Sequence, residues 1–125
     1  MLDLATLPGT GDIWSTAGDL ARYTSALRTG ELLAPASRQA LTTPQAALGD
    51  ETYSIDAIEA HSYGYGYFIG RLNGRPASFH HGDNPGYQSF SASIPETDTS
   101  IVVLLNDDAP DLRQIVSTLA RTVLP

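Results

Sequence analysis

The feature that most constrains the fold is the helical periodicity at the C-terminal end of the chain. Asp107, Asp108 and Pro110 suit a first helical turn, where negative charge is favoured and proline is tolerated. A helix with one apolar stripe must lay it on an apolar surface, and the only candidate here is a sheet. The stripe follows the i, i+3, i+4, i+7 spacing at Leu112, Ile115, Val116, Leu119, Ala120 and Val123.

The stretches before this helix have the patterns of strands. Residues 101–105 are continuously apolar and rich in β-branched side chains, which predicts a strand covered on both faces. Residues 86–94 alternate with a period of two and direct Phe90, Ala92 and Ile94 to the core. From residue 63 to residue 70, tyrosines alternate with glycines, which predicts another strand with a tyrosine stripe on one face.

The connections between these strands predict an antiparallel meander. Asn73-Gly74 is a tight-turn pair, because both residues tolerate positive φ, and residues 76–81 form the predicted return strand. Residues 45–62 are mixed in character, and we expect them to form a surface excursion.

Two helices are predicted near the N-terminus. Apolar spacing predicts a helix over residues 17–28, with Thr16 and Asp19 as a capping box and Gly30 as the stop. A shorter helix is expected from Pro35 to about residue 41, and Trp14 is expected in the core. The fold class is therefore α+β: one domain over residues 1–125, with an antiparallel sheet of about three to five strands flanked by an N-terminal helix and a long C-terminal helix.

The composition excludes several classes of partner and site. The net charge is −7, with seven arginines and no lysine, which disfavours binding to nucleic acid or to anionic membranes. The longest apolar run is too short to span a bilayer. The chain has no cysteine, so disulfides and thiolate metal sites are excluded. These observations leave the cellular compartment open.

Three stretches, in order, resemble a known family. Residues 11–23 are similar to the "GG-hydrophobic-STA-x-DLARF" segment of β-lactamase-like serine hydrolases. Residues 63–68 resemble the "YGYGW" strand of that family, and residues 80–87 resemble its "GHGGGTPGF" segment. The resemblance implies a partial β-lactamase/transpeptidase-like fold. The family includes penicillin-binding proteins, class C β-lactamases, D-amino-acid peptidases and esterases.

The family's chemistry depends on three motifs, of which only one is present. SxxK supplies a nucleophilic serine and a lysine that takes its proton, YxN or SxN supplies another proton-handling group, and KTG or HxG lines the pocket. The sequence has no lysine and neither Tyr-x-Asn nor Ser-x-Asn. We therefore expect the chain to be the C-terminal fragment of a larger serine hydrolase domain and to be inactive alone. The alternative is a non-catalytic binding or assembly domain that uses the same fold.

By the resemblance, His81-Gly82-Asp83 aligns with the HxG motif. His81 would lie near the nucleophile and any substrate carboxylate, Gly82 would keep the strand edge clear, and the Asn84 backbone N–H would face the developing oxyanion. Asp83 stands where the family has glycine, and a carboxylate there would crowd the pocket and disfavour β-lactam binding relative to an ester or amide. The expected catalytic residues are thus His81 and Asn84, and the expected substrate-binding residues are Gly82 and Asp83. The residues alone leave open that His81 is a partly buried histidine at the end of a strand.

The remaining expectations concern ligands and partners. His80 and His81 are adjacent on a strand and point to opposite faces, so we expect no metal site and no cofactor. The complete protein is expected to act on a small-molecule ester, amide or β-lactam. A sheet without its usual neighbours exposes an edge, which predicts self-association.

Overall fold

A computed structural model describes residues 8–49 and 53–125. Its elements are α1 Ala17–Thr29, α2 Pro35–Leu41, β1 Ala46–Ala47, β2 Tyr53–Ile55, β3 Ile58–Tyr63, β4 Phe68–Leu72, β5 Arg75–Asn84, β6 Tyr87–Ile94, β7 Thr99–Leu105 and α3 Leu112–Val123. The sheet is antiparallel in the order β1-β3-β4-β5-β6-β7, and β2 also pairs with β3. The α+β class is confirmed, and within the described residues the sheet has seven strands where about three to five were expected.

The core lies between α3 and one face of the sheet. Of the predicted apolar stripe of α3, Leu112, Val116 and Ala120 are buried against that face. Ile115 is partly buried, whereas Leu119 and Val123, also predicted to pack, are exposed. The sheet contributes alternate residues from several strands, because side chains at i and i+2 share a face. Its buried members are Ile58, Ala60, Leu72, Ala77, Phe79, Phe90, Ala92, Ile94, Ile101 and Val103.

The opposite face of the sheet is covered in part by α1. The Thr24 hydroxyl lies 3.2 Å from the Ser91 hydroxyl, and Arg28 donates a hydrogen bond to Ser100 at 3.3 Å. Because α1 contacts β6 and β7, and α3 packs on the other side of both, β7 is covered on both faces. This agrees with the continuous apolar run in its sequence.

The ends of α1 match the sequence-based prediction. Thr16 is the N-cap, and its hydroxyl oxygen accepts a hydrogen bond from the Asp19 backbone N–H at 3.1 Å. Gly30 ends the helix in the left-handed conformation, and its N–H donates to the Ala26 carbonyl. Helix α2 also begins at Pro35, as predicted.

The tyrosine–glycine segment does not form one continuous strand, so that prediction was wrong. β3 ends at Tyr63 and β4 begins at Phe68, while the residues between them form a tight connection. The Gly64 N–H donates to the Tyr67 carbonyl at 2.7 Å, and Gly66 has a φ of 80°. The glycines therefore serve a reversal of chain direction, and the period of two in the sequence arises by coincidence.

Two other expectations were also wrong. Residues 45–62 contain β1, β2 and β3 and are not a surface excursion, although residues 50–52 lie outside the described part. In β3 the side chains of Ile58, Ala60 and Ser62 alternate into the protein. The pattern is weak in the sequence because two of these three inward residues are small or polar. Trp14, expected in the core, is 88% exposed.

The C-terminal helix begins later than the sequence suggests. Asp111 is the N-cap, and its carboxylate accepts hydrogen bonds from the N–H groups of Arg113 and Gln114. Asp107 and Asp108 belong to the loop before it. The Asp107 carboxylate accepts from the Ala109 N–H, and the Asp108 carboxylate accepts from the Gly86 N–H.

Candidate active-site edge

Strand β5 has an open edge along its C-terminal half. Its residues 75–79 pair with β4, whereas its residues 78–84 pair with β6. From His80 to Asn84, therefore, no strand among the described residues pairs with β5 on the β4 side. An open strand edge presents backbone donors and acceptors to which an extended chain or a substrate amide can bind.

The two hairpins of β5 determine which backbone groups face this open edge. The turns at residues 73–74 and 85–86 each contain two residues, so the residues flanking each turn form a hydrogen-bonded pair. Hydrogen-bonded pairs alternate along an antiparallel ladder. Odd-numbered residues of β5 therefore point their backbone groups toward β4, and even-numbered residues toward β6. The N–H groups of His81 and Asp83 face the open edge, and the Asn84 N–H faces β6.

The four residues singled out in the sequence lie on one strand but on two faces of the sheet. Gly82 and Asn84 share the face that carries α1. A Cβ built on Gly82 would lie 2.6 Å from the Ser89 hydroxyl, and the Asn84 amide packs against Gly11. The side chains of His81 and Asp83 belong to the face that carries α3. The side chains are thus divided between two faces, although His81, Gly82 and Asp83 all line the groove beside α3. Asn84 does not line that groove.

His81 lies in an aromatic environment beside α3. Its ring stacks on Phe68, with centroids 5.6 Å apart and an interplanar angle of 12°. Desolvation by burial lowers the pKa of His81. Electrostatic interactions with His80 and Arg113 lower this pKa further, and the interaction with Asp83 raises it. The imidazole is therefore mainly neutral at pH 7, which disfavours the positive charge that the sequence allowed for it.

A groove of about 440 Å³ lies between this end of β5 and the start of α3. Its base is apolar and includes Phe79, Phe90 and Leu112, and its rim is polar. Gln88 on the rim donates hydrogen bonds to the Asp107 and Pro110 carbonyls, at 3.3 Å and 3.2 Å, which connect β6 to the loop before α3. The groove is thus built by the hairpin and the helix together.

His80 is the residue that sequence reasoning did not select. Its ring lies 5.9 Å from the ring of Tyr63 and 5.4 Å from that of Phe68, measured between centroids. The Nε2 atom is 2.9 Å from the Tyr63 hydroxyl, and the Nδ1 atom is 2.6 Å from the His81 carbonyl oxygen. A signal for His80 was present in the sequence. Gly82 follows it by two residues, so His80-His81-Gly82 fits H-x-G literally, without an aspartate in the glycine position.

A second aromatic contact lies at the far end of the β5–β6 hairpin. The rings of Trp14 and Tyr87 meet edge to face, with centroids 6.1 Å apart, and both are exposed. Tyr87 pairs with Asn84 across the hairpin, so this contact is on the same side of the sheet as Gly82. The segment before α1 therefore lies against the end of the open-edged strand.

Two other kinds of site are absent from the described part of the chain. Within residues 8–49 and 53–125, no group of three or more histidine, cysteine, aspartate or glutamate side chains is arranged to hold a metal ion. No helix in this part of the chain has the length and apolar character needed to cross a membrane.

Comparison with known proteins gives a family and two related structures. The family model described as Beta-lactamase matches residues 2–123. The octameric penicillin-binding protein homologue from Pyrococcus abyssi is similar over 87% of this chain and 24% of its own, with 23% identity and a TM-score of 0.69. The penicillin binding protein from Bacillus halodurans is similar over 88% of this chain and 31% of its own, with 28% identity and a TM-score of 0.65. The chain thus spans about a quarter to a third of the solved chains, and no curated protein matches it.

Proposed function

Because the chain belongs to the beta-lactamase family, we propose that it forms one wall of the active-site cleft of a serine hydrolase. The reaction is acyl transfer from a small ester, amide or β-lactam substrate. One observation carries the proposal. The open edge of β5 presents an H-x-G triplet, His80-His81-Gly82, at the place where its pairing with β4 has ended.

Each residue of this edge has a distinct role in the proposal. The imidazole of His80 occupies the position of the motif's first residue and handles charge and protons near the nucleophile. Gly82 borders the strand edge where substrate approaches, and its lack of a Cβ leaves room for the Ser89 hydroxyl. The backbone N–H of Asp83 faces the open edge, and we assign the oxyanion contact to it. The sequence suggested the N–H of Asn84 for that contact, but the hairpin register directs that group toward β6.

The assignment also changes the part played by the Asp83 side chain. Its carboxylate belongs to the α3 face, whereas Gly82 and Asn84 share the other face. In this arrangement the carboxylate does not crowd the face that carries Gly82. The steric argument against a β-lactam substrate is thereby weakened, and the substrate class remains an ester, an amide or a β-lactam.

The nucleophile is proposed to come from outside this chain. Activation of a serine in this family's way needs a lysine amine, and the 125 residues contain none. The chain alone therefore supplies one side of a cleft and is expected to be inactive. We expect the coding sequence that precedes it to contain SxxK and YxN or SxN.

The function is tested by assaying the 125-residue chain and a version extended upstream, with nitrocefin and with p-nitrophenyl esters. Only the extended protein should turn over substrate. In it, His80→Gln should lower kcat by about a hundredfold, the lower end of the range for general acid–base catalysis. His81→Gln is the matched control and should change kcat by less than about threefold. Turnover by the short chain would overturn the proposal, and so would a loss in His81→Gln with none in His80→Gln.

We also propose that the chain self-associates through a sheet edge. β7 ends the strand order, so among the described residues it is paired on one side only, by β6. A seven-residue strand rich in Val, Ile and Leu is a template for pairing with a second copy. The related protein from Pyrococcus abyssi is octameric.

A further inference from the structure

The imidazole of His80 is held by groups from two other places in the chain. β4 ends its pairing with β5 at the Phe68–Phe79 pair, so His80 is the first residue beyond the shared ladder. Its ring lies beside the rings of Tyr63, in β3, and Phe68, in β4. Tyr63 and Phe68 also contact each other, with centroids 5.0 Å apart. An exposed side chain at an open edge is thus fixed by two rings that are already packed together.

The two hydrogen bonds of this ring determine which nitrogen carries the hydrogen. Nδ1 lies 2.6 Å from the His81 carbonyl oxygen. A carbonyl oxygen only accepts, so Nδ1 must be the protonated nitrogen. In a neutral imidazole Nε2 is then the acceptor, and the Tyr63 hydroxyl, 2.9 Å away, must be the donor to it. The geometry therefore selects one of the two neutral tautomers.

We propose that Tyr63 is a positioning residue that fixes both the orientation of the His80 imidazole and its Nδ1–H tautomer. A proton that His80 takes up is then received at Nε2 alone. When it arrives, the tyrosine hydroxyl turns from donor to acceptor, and the ring keeps its place in both charge states. The effect of Tyr63 on turnover rests on the proposed function, whereas its effect on the tautomer does not.

The tautomer can be measured on the 125-residue chain with ¹⁵N-labelled histidine. Two-bond ¹H–¹⁵N spectra distinguish the protonated from the bare ring nitrogen, at about pH 9, where histidine side chains are ordinarily neutral. His80→Gln assigns the signals among the three histidines. The wild-type His80 ring should be in the Nδ1–H form. Tyr63→Phe, which keeps the aromatic ring and removes the donor, should shift the population toward the Nε2–H form.

Tyr65→Phe is the matched control, because Tyr65 is 61% exposed and lies in the connection just after Tyr63. It should leave the His80 tautomer unchanged. Amide spectra of each variant report whether the fold is intact. An Nε2–H ring in the wild type would overturn the proposal, as would a tautomer that is the same in Tyr63→Phe and wild type.

A second readout separates this proposal from the proposed function. In the extended, active protein, Tyr63→Phe should lower kcat by about tenfold, with KM changed by less than about twofold, and should displace the limb of the pH–rate profile that reports the histidine. If the tautomer shifts and kcat does not, the positioning contact stands and the role of His80 in the cleft is overturned. If the tautomer does not shift, the positioning proposal fails by itself.

Discussion

At the scale of single residues, two adjacent histidines on β5 share an aromatic neighbour. Both are exposed and both rings lie beside Phe68. Their rings stack with centroids 5.9 Å apart, although neighbours on a strand were expected to point to opposite faces. His80 also bonds to Tyr63. The sequence was sufficient to choose His80, since only it has a glycine two positions later. It was not sufficient to reveal Tyr63 as its partner, because that contact joins β3 and β5 across the intervening β4. Side-chain partners from strands that are not neighbours cannot be read from local spacing.

The lowered pKa of His81 predicts a pH dependence of stability. The unfolded chain protonates this histidine near the ordinary value of 6.5, while burial holds the folded pKa below that value. Between the two values the unfolded state binds more protons, so the free energy of unfolding decreases as the pH falls below about 7. Urea unfolding should be measured at about pH 7.5 and about pH 5.5. Between these values the free energy of unfolding should decrease more for the wild type than for His81→Gln.

A second titrating group lies outside that pH window. A hydrogen bond from Arg121 lowers the pKa of Asp56 below its ordinary 3.8, so the stability it contributes is lost only under more acidic conditions. Asp56→Asn should therefore leave the change in the free energy of unfolding between the two pH values as it is in the wild type. If the free energy of unfolding depends on pH equally in the wild type and in His81→Gln, the predicted role of His81 is contradicted.

At the scale of elements, the start of α3 gives a direct test of capping. Asp111→Ala should lower the free energy of unfolding by about 1 kcal/mol, because it removes the acceptor for two N–H groups of the first turn. Asp107→Ala is the matched control. The Asp107 carboxylate accepts a hydrogen bond from the Ala109 N–H, in the loop before the helix. Asp107→Ala should therefore lower the free energy of unfolding by less than Asp111→Ala does. Chemical denaturation of both variants makes the comparison, and a larger loss for Asp107→Ala would place the helix start at the earlier position.

Local sequence signals predicted helices better than strand boundaries. The Thr16 cap and the Gly30 stop defined α1 to within one residue. The stripe of α3 identified its buried face in part, since Leu119 and Val123 are exposed. The period of two failed at residues 63–70, where alternating glycines mimic a strand but form a reversal between β3 and β4. A continuous strand and a glycine-rich reversal can have the same alternating sequence. Only the pairing of β4 with β3 and β5 distinguishes the two structures. The short strands before β3 have too few residues to show a period at all.

At the scale of the whole molecule, the one-sided pairing of β7 predicts association that depends on concentration. Sedimentation velocity over a wide concentration range should show species larger than the 13.3 kDa monomer. Val102→Lys, in the middle of β7, should shift the distribution toward monomer, because a charged side chain at an edge opposes strand pairing. Since α1 covers this face of β7, amide spectra must first show that the variant keeps the wild-type fold. Glu59→Lys introduces the same side chain on β3, away from β7, and should have no such effect. A wild-type chain that stays monomeric at high concentration would contradict the proposal.

The exposure of Trp14 gives the molecule an intrinsic optical reporter. It is the only tryptophan in the chain, so the indole fluorescence arises from one corner, where that ring meets Tyr87 at the tip of the β5–β6 hairpin. An indole in contact with water emits at longer wavelength and is open to collisional quenchers, and a covering group reverses both properties. Binding of any polypeptide or small molecule that covers the Trp14 ring should therefore shift its emission to shorter wavelength. The shift can be measured without a label and without turnover.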